Sequence, residues 1–235
     1  MKKLLSLVAV ALTSIITTTA FAASPNSVIK YQSEYEVLVN DRAFGDSILS
    51  HEYDEATQVG VITFKGALTK LPCEAFEDGL VEWISLPESL QDVDDRAFMC
   101  CYAKEFRGKF AADNGRCLIV NGKLIRCNVD PGVKDYTVPN GVTKICAVAF
   151  MYTDITSITI PESVTEIHGQ AFVYACERLI MKSSKAPNVY GAELHSEEGT
   201  DVPVFSIKVY VPKGAAANYK SARYWKSVKD QIFEY

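Results

Sequence analysis

The chain has 235 residues, of which 48% are hydrophobic and 23% charged, and its formal net charge is −5. That length suits one ordinary domain or one short solenoid, and the balance excludes an intrinsically disordered chain. An acidic chain without a basic run or stripe is a poor match for nucleic acid or an anionic membrane surface.

The first element is a leader. Met1-Lys2-Lys3 is positive, Leu4 to Ile16 is apolar, and Ala20-Phe21-Ala22 offers small residues at the −3 and −1 positions of a cleavage site. Residues 1–22 therefore read as a cleaved secretory signal, with a retained N-terminal anchor as the alternative. The apolar run is too short for a good membrane span. An exported chain is expected, whether extracellular, on the cell surface or periplasmic.

Residues 23–60 read as an N-terminal cap with short strands, Tyr35 to Val39 among them. From 61 to 182 the chain repeats itself. Four segments end in Ala-Phe: Ala75-Phe76, Ala97-Phe98, Ala149-Phe150 and Ala171-Phe172. Five residues before each Phe stand Leu71, Val93, Ile145 and Ile167, and eight before stand Leu68, Leu90, Val142 and Val164. Twelve before stand Phe64, Leu86, Val138 and Ile160, and fourteen before stand Ile62, Ile84, Tyr136 and Ile158. Positions −14 and −12 flank a polar residue and predict a short strand with one face inward. Pro87, Pro139 and Pro161 follow at position −11, where a missing N–H breaks no ladder bond. One such unit cannot bury its own apolar side, so the units must stack.

The Phe-to-Phe intervals are 22, 52 and 22 residues, which places an insertion near residues 106–133. Within it, Asn121-Gly122 between Cys117 to Val120 and Lys123 to Arg126 predicts a two-residue type I′ hairpin. In that register Cys117 faces Arg126, and Cys127 lies on the opposite face, which disfavours a disulfide between the two cysteines. Residues 183–206 read as a loop, Lys208 to Val211 as a strand, and 214–230 as a helix with Ala215, Tyr219 and Ala222 on one side. Residues 183–235 together form a C-terminal capping module.

The repeat carries a resemblance. "SITIPESVTEIHGQAF" (157–172), "YTVPNGVTKICAVAF" (136–150) and "ISLPESLQDVDDRAF" (84–98) resemble the BspA-like leucine-rich repeat, and the insertion and the ending "VYVPKGAAANYKSARYWKSVKDQIFEY" resemble that family's hairpin and terminal module. The intervals are one residue shorter than the family's commonest form, and Lys65 replaces Pro in the first unit. The resemblance implies an α+β solenoid with a parallel β-sheet face, and a surface protein that binds rather than catalyses.

Seven cysteines are present, without a CxxC pair, so the spacing is not that of a zinc site. Most read as small apolar core fillers, with one or two bridges unassigned. Outward on the stacked strands, position −13 carries Thr63, Ser85, Thr137 and Thr159, and position −15 carries Val61, Trp83, Asp135 and Ser157. The candidate ligand-binding face is thus Thr63, Trp83, Ser85, Asp135, Thr137, Ser157 and Thr159, although Thr and Ser also simply suit exposed strands. Trp83 is either an exposed anchor or a residue covered by the cap.

The acidic loop Glu193, Glu197, Glu198 and Asp201 lacks the spacing of a calcium loop. Glu88, Asp92, Asp94 and Asp95 read as a solvated face. Cys146 and His168 occupy the same repeat position, but no third residue completes a nucleophilic pair. The sequence therefore predicts no catalytic residue, metal or cofactor. It predicts an adhesin-like binding partner, a host matrix or other cell-surface protein, with glycan binding as the alternative.

Overall fold

The structure is a computed structural model that describes residues 26–99, 101–151, 153–172, 175–191 and 207–235. The proposed leader and the acidic loop, with His195, lie outside the described residues.

The N-terminal cap is antiparallel. Strands β1 (Val28–Ser33), β2 (Leu38–Val39), β3 (Ile48–Asp54) and β4 (Val59–Phe64) join β6 (Phe76–Ser85) in the order β2-β6-β1-β4-β3, with a four-residue helix α1 (Asp41–Phe44) between β2 and β3. The cap thus extends four residues beyond position 60 and takes in β4, whose Ile62 and Phe64 are buried. Strand β8 (Cys101–Arg107) adds to β6 in parallel, with Ile84 opposite Phe106.

Beyond the cap the chain coils. Two short strands, β5 (Lys70–Leu71) and β7 (Asp92–Val93), pair in parallel. The hairpin of β10 (Cys117–Val120) and β11 (Lys123–Cys127), with β9 (Ala111–Ala112) beside it, continues into β13 (Lys144–Ile145), β15 (Glu166–His168) and β17 (Asn188–Tyr190). The other ladder holds β12 (Asp135–Thr137), β14 (Ser157–Ile160), β16 (Arg178–Met181), β18 (Lys208–Val211) and β19 (Ile232–Glu234). Tyr136, Ile158, Leu179, Val209 and Ile232 stack in register on its inner face, all buried. Leu124, Ile145, Ile167 and Val189 do the same on the second ladder. The periodic positions of the sequence are these two inward columns. Helix is scarce, so the solenoid is built almost wholly of strands and turns.

The hairpin corrects the cysteine expectation. Asn121 (φ 48°) and Gly122 (φ 79°) form the two-residue turn, and Val120 pairs with Lys123. A bulge at Ile125 then shifts the register, so that Leu118 meets Arg126 and Cys117 meets Cys127. One extra residue moves every later side chain to the other face. Cys117 and Cys127 are accordingly bonded, with Cα atoms 4.1 Å apart.

The bulged hairpin also separates two cores. Leu118, Val120 and Ile125 pack with Ile84, Phe98 and Phe106, whereas Cys117, Leu124 and Cys127 pack with Phe150, Ile158 and Phe172.

The predicted helix over 214–230 is shorter and broken. Helix α2 (Ala216–Ser221) stops at Ala222, whose ψ of 145° is extended, and a 3-10 segment (Trp225–Gln231) leads into β19. A continuous helix would place Trp225 and Val228 well away from the face of Tyr219. The break lets all three bury, and Trp225 Nε1 donates to the Pro187 carbonyl at 2.8 Å.

Candidate functional site

The ladder β12-β14-β16-β18-β19 presents its outer face as two columns, because side chains two apart on a strand share a side. Thr137, Thr159, Ile180, Tyr210 and Phe233 stand opposite one another on successive strands. Two residues back along the strands stand Asp135, Ser157, Arg178 and Lys208. The first column turns from hydroxyl to apolar along the stack. Tyr210 and Phe233 contact each other with ring centroids 5.7 Å apart, and Phe233 is 43% exposed. Arg178 and Lys208 are exposed and form no ion pair among the described residues. Lys182 adds a further cation 5.3 Å from the ring of Tyr235.

Of the residues read from the sequence, Asp135, Thr137 and Thr159 lie on this face. Ser157 lies in its ladder but is 3% exposed, its short side chain set between Asp135 and Arg178. It offers no contact surface, which corrects the expectation. Nor do Thr63 and Ser85 extend the hydroxyl column. Thr63 sits in the antiparallel cap between Val28 and Ser50, and Ser85 sits between Lys30 and Arg107. The cap's antiparallel pairing and the interposed β8 break the row.

Trp83 is half-buried between β1 and β8. Its Nε1 donates to Gln32 Oε1 at 2.7 Å, and the Arg107 guanidinium lies 4.5 Å from its ring. Gln32 of the cap and Arg107 of β8 thus cover Trp83 in part.

Ile180, Tyr210 and Phe233 were missed because their repeats lack the Ala-Phe ending. A signal was present: "VYVP" (209–212) repeats the strand-then-proline run of "ITIP" (158–161).

The remaining chemical candidates stay apart. Cys146 Sγ donates to Asp95 Oδ1 at 3.2 Å, and burial followed by that carboxylate pushes the thiol far above its usual range. His168 is buried rather than set in an open turn, and its Nδ1 accepts from the Gln170 N–H. A thiol held protonated and an imidazole held neutral are the reverse of an activated nucleophile and its base. Asp92 pairs with Lys70 and Lys123, and Asp95 with Lys144, so these two of the four acidic residues are cross-braced rather than merely solvated. Among the described residues no group of three or more His, Cys, Asp or Glu is placed to hold a metal, and no helix is long and apolar enough to cross a membrane.

The family model described as BspA type Leucine rich repeat region matches the chain in six copies over residues 46–180. A search of curated proteins finds no match to the chain.

Proposed function

The chain belongs to the BspA-type leucine-rich repeat family, a non-enzymatic repeat family of protein–protein interaction, and from that premise we propose that it is an exported, adhesin-like protein that grips its partner with the outer face of the ladder β12 to β19. Members of the family are typically secreted or on the cell surface. The observation that carries the reading is the in-register column Thr137–Thr159–Ile180–Tyr210–Phe233. The column ends in part-exposed Ile180 and Tyr210 and exposed Phe233, and aromatic residues are preferred interface anchors. The partner is a host matrix or other cell-surface protein.

A second reading, glycan binding, rests on one observation. Tyr210 and Phe233 place two rings side by side on the face, which gives a sugar an apolar platform.

The test is binding of the purified protein to an array of matrix proteins and glycans, with Tyr210→Ala/Phe233→Ala and Thr159→Lys variants alongside. Saturable protein binding that falls in both variants supports the adhesin reading. Glycan binding that depends on the two aromatic residues favours the second. Silence from a folded sample, or binding indifferent to both variants, overturns the face as the site.

A further inference from the structure

The first and last parts of the stack carry opposite charge. Residues 26–60 hold seven carboxylates against Lys30 and Arg42, and residues 207–235 hold six Lys or Arg against Asp230 and Glu234. Near the C-terminal end, Ile180, Tyr210 and Phe233 stand in register as an apolar row, the last of them fully in solvent reach. Cations border this row on both sides. Arg178 and Lys208 stand two residues back along their strands. Lys182 stands two residues on, its Nζ 5.3 Å from the centre of the Tyr235 ring. All three are exposed and have no ion-pair partner among the described residues.

The N-terminal cap holds the complement. Between β1 and β2 the chain runs Glu34-Tyr35-Glu36-Val37, with Tyr35 72% exposed and Leu38 just beyond it 58% exposed. This loop is tied at both ends. The Ser33 hydroxyl donates to the Leu80 carbonyl at 2.7 Å, and the buried Val37 donates its N–H to the Tyr31 hydroxyl at 3.1 Å. Glu34 and Glu36 are exposed on either side of Tyr35, and Asp54 and Glu55 add to their field. All four carboxylates lie close enough to Tyr53 to act on its hydroxyl. Tyr35 is thus presented on an anchored knuckle among negative charges.

An aromatic side chain between carboxylates is the counterpart of an apolar row between cations. The hairpin and the repeat turns lie between the two surfaces, so one molecule cannot close its own pair. We propose that the chain associates head to tail with a second copy of itself, the loop Glu34–Leu38 of one copy setting Tyr35 against Tyr210 and Phe233 of the next, with Glu34 and Glu36 facing Arg178 and Lys208. Such a contact joins two different patches, so it builds a ring or an open chain of copies rather than a twofold dimer. The inference rests on the reading of that face as a contact surface, and a foreign partner competes with the second copy for it.

Sedimentation velocity tests it on the purified protein over a series of concentrations, at low and at high salt. The sedimentation coefficient is expected to rise with concentration at low salt and to rise less at high salt, because the facing charges are exposed. Glu34→Lys/Glu36→Lys and Arg178→Glu/Lys208→Glu each weaken association about tenfold or more. Mixing the two variants restores it, because every loop then meets a face of opposite charge, and a misfolded variant gives no such rescue. Circular dichroism accompanies each variant. A protein that stays monomeric at every concentration, association that neither reversal weakens, or a mixture that fails to associate overturns the proposal. Array binding by the loop variant, whose face is intact, reports on the proposed function alone.

Discussion

The buried side chain of Arg126 donates from Nη1 to the carbonyl of Val148, 2.9 Å away in the following turn of the coil. Val148 has φ of 53°, a left-handed backbone that β-branched residues rarely adopt. The guanidinium also lies 4.3 Å from the ring of Tyr102. Arg126→Met is expected to lower stability by about 3 kcal/mol, because buried carbonyl oxygens lose a charged donor. Arg126→Lys recovers part of that loss, since an ammonium lacks the planar fork. Urea unfolding of the three proteins decides it, and equal midpoints would remove Arg126 from any structural role.

The disulfide closes a short loop, with its cysteines ten residues apart in sequence. Replacing Cys117 and Cys127 with Ala is expected to cost about 3 kcal/mol by the loop-entropy relation. Both sulfurs are fully buried, so reductant added to the native protein leaves the bond intact until the chain unfolds. Thermal midpoints of the two forms, with and without reductant, check both statements.

Stability is expected to fall as pH drops from about 7.5 to 5.5. His168 has a pKa below its usual 6.5 because burial disfavours the imidazolium; Asp95 opposes this, while Arg96 and Lys144 reinforce it. Tyr190 packs edge-on against the ring. His51 shifts the same way, again through burial, with Glu36 and Asp41 opposing. Below the unfolded pKa the unfolded chain takes up protons that the folded one refuses. The stability present above that pKa is therefore lost as pH falls towards the folded value. His168→Asn, whose Oδ1 can still accept from Gln170, is expected to flatten the slope. An unchanged slope would assign the effect elsewhere.

Face and core substitutions should separate cleanly. Phe233→Ala on the exposed column is expected to cost under about 1 kcal/mol. Phe150→Ala, fully buried and stacked on Phe172 at 5.7 Å, is expected to cost about 3 to 5 kcal/mol. Comparable losses from the two, measured by chemical denaturation, would mean that Phe233 belongs to the core.

The inward columns were legible because stacking demands the same residue class at the same phase in every unit: Ile84, Ile145, Ile158 and Ile167 are all buried. Where the chain leaves that phase, local pattern stopped carrying information. Strand β8 keeps the interval, with Phe106 twenty-two residues after Ile84, yet it lacks proline and Ala-Phe and was absorbed into the insertion. The bulge at Ile125 has no signature in the residues beside it, and it decided the cysteine pairing. The hydroxyls of Thr63 and Ser85 share spacing with Thr137 and Thr159 but not a sheet, because the cap pairs antiparallel. The apolar end of the face came from the terminal strands, which keep the strand-then-proline run at Val209–Pro212 but lack the Ala-Phe ending by which the units were counted.

The hairpin partition bears on how the chain would give way under tension. Pulled from its ends, the coil peels one turn at a time from the exposed C-terminal strands, each turn holding chiefly to its neighbours. Peeling then meets a strand pair welded across its own base. The stretch between Cys117 and Cys127 cannot pay out, and the released contour length falls short by about 35 Å, ten residues at the reach of an extended chain. A single-molecule trace would carry that missing length as a mark of the oxidised protein, lost on mutation of either cysteine.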